Sequence, residues 1–514
     1  MSALFAFGHC LRLIRAGFVL AREGVFVGVD PHDLPPLARA PLALANLIAR
    51  RNGRGGVAAA IDRLGPSYVK LGQFLSTRAD LVGPSVVKQL ELLQDRMAPF
   101  PRAVAIKTIE KSFGDKFESL YVDLGEPVAA ASIAQVHRAR IVEDGQIRDV
   151  AVKVLRPGVE RRFNRDLSDM FFAARLAERL SPEARRLKVV DIVETLARSV
   201  RIEMDFRLEA AAASEFAENV AEDADFRVPQ IDWNRTTREV LTLEWIEGAP
   251  LNDPERLARE GFDPPNVARV LIQSFLRHAL RDGFFHADMH QGNLFIDGQG
   301  SIAAVDFGIM GRLGLKERRF LAEILYGFIT RDYHRVAEVH FEAGYVPAVH
   351  RVEDFAQAIR AIGEPIHSRT ADQISMAKLL SLLFEITALF DMSTRLELVM
   401  LQKTMVVVEG VARQLDPRLN MWVTAEPVVG DWIAANLGPR GKIEDFGRAA
   451  ARFARMISDA PERLDRIGQL IEKGEAAAET SIRADEMEIR RGGMLGVTAL
   501  WIIVALLAVI AFKL

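Results

Sequence analysis

The residues best placed to do chemistry lie in one short stretch. Asp288 and Asn293 stand five residues apart in His286-Ala287-Asp288-Met289-His290-Gln291-Gly292-Asn293, and Asp306 of Asp306-Phe307-Gly308 follows Asn293 by thirteen. Between them the sequence predicts one strand–turn–strand: Leu294–Ile296, the turn Asp297-Gly298-Gln299-Gly300, and Ile302–Val305. A side-chain amide oxygen and a carboxylate converging in this way suit Mg²⁺, a hard cation that takes oxygen ligands. Asn293 and Asp306 are therefore the candidate metal ligands, and Asp288 the candidate catalytic residue facing an acceptor hydroxyl. His286 belongs under this loop as a support. A metal cluster of His286, His290 and Asp288 is the less economical reading.

The order H-x-D-x-x-x-x-N, hairpin, D-F-G is the layout of a protein-kinase active site. The upstream parts fit it. Ala151-Val152-Lys153-Val154 matches the strand whose lysine holds the α- and β-phosphates. Alone, a lysine in a strand reads as an edge-strand gatekeeper; its place ahead of the other motifs selects the phosphate role. Lys153 needs a carboxylate on a helix, and Glu209 in Glu203-Met204-Asp205-Phe206-Arg207-Leu208-Glu209 is the candidate. The strand-like run Glu239–Ile246 leads into a linker where an adenine-binding hinge belongs, which makes Glu244 and Ile246 candidate nucleotide contacts. Two parts depart from ordinary protein kinases. Ala129-Ala130-Ala131-Ser132 stands where a glycine-rich loop would cover phosphates, and alanine avoids the positive φ such a loop uses. After Gly308 the chain runs straight into a helical pattern from Leu315, leaving little room for an activation segment, and Ala287 replaces the arginine that would pair with a phosphate on it.

These residues need a scaffold. The chain has 514 residues, 49% hydrophobic and 26% charged, enough for a sizeable core and two to four domains at roughly 150 residues each. With 66 Lys+Arg against 69 Asp+Glu, net −3, it is not a basic nucleic-acid binder. A single cysteine, Cys10, excludes an intrachain disulfide framework and a cysteine-rich metal site. No G-x-G-x-x-G follows a strand and no Walker A spacing occurs, so neither a flavin or NAD fold nor a P-loop is supported. Helical patterns cover Val57–Lys111 and Arg156–Asn219; Ala134–Val142 and Asp149–Leu155 read as strands joined by Glu143-Asp144-Gly145-Gln146. Met494–Phe512 is 19 uncharged residues, about 28 Å of helix and so one hydrocarbon core. Arg490 and Arg491 before it favour a cytoplasmic body on a bacterial inner membrane. Met1–Gly24, apolar with Arg12, Arg15 and Arg22 interleaved, reads either as a membrane-surface helix or as a helix packed on the body.

The chain resembles the UbiB family of protein-kinase-like ATPases tied to ubiquinone biosynthesis. The resemblance runs from about Gly65 to Gly314. It rests on Lys70-Leu71-Gly72-Gln73 (K-x-G-Q), the alanine-rich Ala129–Ser132, Glu203-Met204-Asp205 (E-x-D) and His286–Asn293, in which Met289 and Gln291 stand where prolines are usual. It implies that the K-x-G-Q helix lies across the site where a peptide would bind, with Lys70 and Gln73 near the phosphates and Glu203 and Asp205 facing them. The expected architecture is an α+β, two-lobed protein-kinase-like fold with an N-terminal helical extension and a C-terminal transmembrane helix. Its parts would be an N-terminal segment 1–56, a helical extension 57–124, an N-lobe 125–246, a C-lobe 247–420, a helical tail and linker 421–493, and an anchor 494–512. The implied cofactors are ATP or ADP with Mg²⁺. The implied partners are prenylated phenol or quinone precursors, membrane lipid and other ubiquinone-biosynthesis proteins. A nucleotide-binding scaffold, a protein kinase acting in trans and a polyprenylphenol hydroxylase are the rival readings; no flavin motif, metal cluster or haem-type cysteine supports the last.

Overall fold

The computed structural model describes residues 3–437 apart from 28–35, 50–54, 77–85, 87–88, 91–96, 181–183, 186–187, 368–385, 387–388 and 393–395. The predicted anchor Met494–Phe512 lies outside the described residues. Among the described residues no helix is long and apolar enough to cross a membrane.

Among the described residues, four helices open the chain: α1 (Ala3–Arg22), α2 (Pro36–Ile48), α3 (Val57–Leu64) and α4 (Pro66–Ser76), the last carrying Lys70 and Gln73. Helices α5 (Arg102–Phe113) and α6 (Phe117–Leu120) follow, then strands β1 (Asp123–Ala130), β2 (Ala134–Glu143) and β3 (Gln146–Leu155). With β5 (Val240–Glu244) these form an antiparallel sheet in the order β1-β2-β3-β5. The β2–β3 hairpin is tighter than its sequence suggests. Glu143 pairs with Gln146, leaving only Asp144 and Gly145, at φ 51° and 76°, in the two-residue turn that an Asp-Gly pair favours.

Alternation along β3 divides its side chains between two cores. Val150, Val152 and Val154 join Ala105, Ile109, Phe117 and Tyr121 from α5 and its surroundings. Residues 102–121 thus build the small lobe's own core and are not part of the helical extension assigned to 57–124. Lys153 and Leu155 face the other way. There α7 (Val159–Leu180), α8 (Val189–Glu203) and α9 (Phe206–Asn219) pack Phe163, Leu196, Val200 and Phe206 around Leu155, and Tyr68, Leu71 and Phe74 of α4 lie against them. Helix α1 is clipped to α7 by Arg12, whose Nε and Nη2 each donate to Asp169 at 2.7 Å, while Leu11 and Phe18 on it stay exposed.

The larger lobe includes short β4 (Phe226–Arg227), which precedes β5 in the chain and pairs in parallel with the strand Ile302–Ala304. It holds β6 (Gly248–Pro250), α10 (Pro254–Arg259), α11 (Pro264–Arg277), β7 (Phe284–His286), β8 (Leu294–Asp297), β9 (Ile302–Ala304) and β10 (Met310–Arg312). Then come α12 (Leu315–Thr330), α13 (Tyr333–Glu342), α14 (Val352–His367), α15 (Leu396–Leu415) and α16 (Met421–Leu437). One core runs from Phe216 of α9 through α11 to Met421, Ala425 and Val429 of α16. Trp432 on α16 donates its indole N–H to the Leu280 carbonyl at 2.8 Å. Residues 421–437 therefore belong to the lobe and are not a tail, because their apolar face is part of its interior.

Candidate active site

Lys153 reaches the cleft because β3 alternation turns it away from the valine core. Its ammonium donates to both Glu209 oxygens, at 2.8 and 3.0 Å, and to Asp306 Oδ1 at 2.9 Å. The Phe206 ring lies 5.5 Å beneath it. Glu209 sits in the first turn of α9, whose N-terminus favours a negative charge. Burial opposes the Lys153 charge, but the Asp306 and Glu209 carboxylates outweigh it and hold its pKa above the usual lysine value. Two carboxylates share this one ammonium, and the less hydrated of them gives way. Burial pushes Glu209 up to about 7 although Lys153 pulls against it. For Asp306, 47% exposed, burial is outweighed by Lys153, with help from Lys70, so its carboxyl stays below the ordinary range.

The loop His286–Asn293 is built from below. His286 is buried; its Nδ1 accepts the Asp288 backbone N–H at 3.1 Å, which leaves Nε2–H to donate to the Val305 carbonyl at 3.3 Å. Desolvation lowers its pKa and keeps the ring neutral in that bridging role. Phe307 is buried against the His286 ring at 5.3 Å and Phe216 at 5.8 Å. Asn293 donates its side-chain N–H to the Asp288 carbonyl at 3.1 Å, so its Oδ1 is left for the cleft. Asp306 adopts φ 65°, a conformation uncommon for a non-glycine residue, and thereby turns its carboxylate to Lys153. An amide oxygen and a carboxylate are the donor set a hard divalent cation takes.

Helix α4 closes one side. Lys70 Nζ meets Glu203 Oε2 at 2.5 Å, and both side chains are nearly buried, 10% and 13% exposed. Removing one partner of such a pair leaves an uncompensated charge at a cost of about 3–5 kcal/mol. The first carboxylate of E-x-D, Glu203, therefore holds the lysine of K-x-G-Q. Gln73 lies one turn further along α4, half-buried.

Several expected site residues have other work. Asp205 does not face the cleft: it caps α9, accepts the Arg207 backbone N–H at 3.2 Å, and pairs with the Arg207 guanidinium. A short carboxylate one residue before a helix satisfies the open N–H groups there. Ala129 and Ala130 continue β1, so the loop is reduced to a turn in which Ala131 donates its N–H to the Ala134 carbonyl at 2.8 Å. None of Ala129–Ser132 has positive φ, and Ser132 is fully buried. Strand β5 ends at Glu244 instead of Ile246. The Glu244 carboxylate is committed to Arg227 and the Gln230 backbone N–H, which ties the lobes together; Ile246 follows outside the strand, half-buried. No activation segment intervenes after Asp306-Phe307-Gly308: β10 pairs directly with β7, and α12 starts at Leu315.

Two contacts escaped the sequence reading. Arg156 donates to the carbonyls of Ala98 and Ala131 and pins the alanine turn. Thr404, buried on α15, has its hydroxyl 2.8 Å from the Met400 carbonyl of its own helix and 3.1 Å from the Ala287 carbonyl, so one proton is shared between them and a helix more than a hundred residues away is joined to the His286–Asn293 loop. The available signal was a lone hydroxyl in the apolar middle of α15.

Residues 92–340 match the ABC1 atypical kinase-like domain, and residues 359–420 match the UbiB helical domain. Two curated proteins named probable protein kinase UbiB, from Pseudomonas paraeruginosa (strain DSM 24068 / PA7) and Pseudomonas aeruginosa (strain UCBPP-PA14), are each 38% identical over 415 residues. That span is 80% of this chain and 77% of each relative. A solved structure described as the complex of Rv3197 with erythromycin, from Mycobacterium tuberculosis, superposes with a TM-score of 0.50 at 24% identity, covering 71% of this chain and 93% of the other. That likeness concerns the fold.

Proposed function

The chain belongs to the UbiB family of ABC1 atypical kinase-like proteins, and from that premise we propose that it is a membrane-anchored ATPase or small-molecule phosphotransferase serving ubiquinone biosynthesis. The observation that carries this reading is the cleft itself. Lys153 is held between Glu209 and Asp306, opposite a loop that presents Asp288 and the Asn293 amide oxygen, with α4 across one side.

In this reading Lys153 binds the nucleotide's phosphate oxygens, and Glu209 fixes the direction of its ammonium. Asn293 and Asp306 are the residues that would hold Mg²⁺, which when bound neutralises phosphate charge. Asp288 orients the attacking oxygen, from water or a lipid-linked hydroxyl. Catalysis is then mostly positioning and charge complementarity. The direct β7–β10 pairing offers no platform for a peptide, which favours a small acceptor over a protein substrate in trans. The 19 uncharged residues Met494–Phe512 would keep the cleft beside prenylated phenols that do not dissolve in water.

A second reading, a nucleotide-binding scaffold without turnover, draws on the Lys70–Glu203 latch and the alanine turn, which both narrow the cleft. Micelles carrying a prenylated phenol are expected to raise the rate of phosphate release from ATP. An unchanged rate would remove the proposed link to such intermediates, and nucleotide binding with no release would favour the scaffold.

A further inference from the structure

His290 stands two residues after Asp288 on the same loop. Its Nδ1 accepts the Gly292 backbone N–H at 3.0 Å. The glycine makes room for this: a Cβ at position 292 would lie 3.0 Å from both Nδ1 and Cε1 of the ring. A nitrogen that accepts a backbone N–H carries no proton, so the ring proton is on Nε2. Nε2 in turn faces Asp288 Oδ2 at 3.7 Å. The turn is closed by the Asn293 backbone N–H on the His290 carbonyl at 2.9 Å and by the Asn293 side chain on the Asp288 carbonyl. Asp288 therefore lies between two imidazoles. His286 holds its backbone from beneath, and His290 stands beside its carboxylate.

We propose that His290 is a positioning residue for Asp288. Its neutral Nε2–H donates toward Oδ2, directly after a small rotation or through one water. That holds one carboxylate oxygen in place and leaves Oδ1 for the incoming hydroxyl. His290 is not the base in this state, since Gly292 occupies the Nδ1 lone pair and Nε2 carries the proton. The inference rests on the turnover reading above, and the test is chosen so that the two can fail separately.

Three variants of the full-length chain in liposomes separate the ring's two nitrogens. His290→Asn keeps an acceptor for the Gly292 N–H and removes the Nε2 donor; His290→Gln keeps an amide donor near the Nε2 position; His290→Ala removes both. The expected result is a fall of about tenfold in kcat for Asn and Ala, the KM for ATP within about twofold, and Gln within about threefold of the parent. Equal rates in all three, or a Gln variant as poor as Ala, would overturn the proposal. A second readout needs no turnover. In ¹⁵N-histidine-labelled protein, the signal lost in His290→Gln should belong to an Nε2–H tautomer, and its Nε2 resonance should move in Asp288→Asn. An Nδ1–H tautomer, or an unmoved resonance, would overturn the proposal even if the parent protein releases no phosphate. Absent release with the expected tautomer would count against the ATPase reading alone.

Discussion

Glu209 and Glu409 are both carboxylates taken out of water, and their surroundings separate a site residue from a structural liability. Glu209 has Lys153 on both oxygens, a use that sequence order exposes because a strand lysine in this layout needs a helical carboxylate. Lys70–Glu203 became legible only through the family resemblance, since Lys70 by itself reads as a solvated helix lysine. Asp205, Ser132 and Glu244 were not legible, since each is claimed by something local or distant that spacing does not encode: a helix N-terminus, burial, an arginine on β4. Glu409, buried on α15, pairs with Arg413 Nη1 at 3.7 Å, and among the described residues its Oε2 has no hydrogen-bond partner. Burial pushes its pKa up to about 7, with Arg413 pulling it back. A folded-state pKa raised in this way gives stability that is fully present below the ordinary value near 4.5 and is lost as pH rises through about 7. Glu409→Gln is neutral at every pH, so its melting temperature should match the parent's at pH 5 and exceed it by about 2–5 °C at pH 8. An advantage that is the same at both pH values would contradict the assigned titration.

At the scale of elements, local chemistry was readable and long-range packing was not. Asp144-Gly145 specifies its hairpin, and the alternation of valines across β3 specifies which face Lys153 takes. The end of β5 was misplaced because Trp245 and Ile246 keep the strand's apolar character after the pairing of β3 with β5 has stopped at Glu244. Helix α15 reads only as apolar helix, yet through Thr404 it reaches the His286–Asn293 loop. Thr404→Val preserves the side chain's shape and removes the one hydroxyl proton that the Ala287 and Met400 carbonyls share. The variant should lose about 1 kcal/mol of stability, and its kcat should fall several-fold, about threefold or more, with the KM for ATP unchanged. A Thr404→Val protein with the parent's kcat would mean that α15 supports the lobe without setting the loop.

At the scale of the whole molecule, the two lobes follow from the order of strands and motifs, but their limits do not. Residues 102–121 read as a continuation of the helical extension, and they pack against the small lobe's sheet, where Ile109, Phe117 and Tyr121 bury their apolar surface with Val150, Val152 and Val154. Residues 421–437 read as a tail and fill the large lobe's core. The extension wraps back from α1, clipped at Asp169, to α4, latched at Glu203, so the chain's start and its cleft form one packed unit. The central claim is that this unit turns over ATP with a metal held at Asn293 and Asp306. The most direct test is Mg²⁺-dependent phosphate release from ATP by the full-length chain in liposomes, beside Asp306→Asn. The account predicts release that depends on Mg²⁺ and falls by about a hundredfold or more in the variant, which still melts as a folded protein. Equal release by both proteins, or release that persists without a divalent cation, would contradict it.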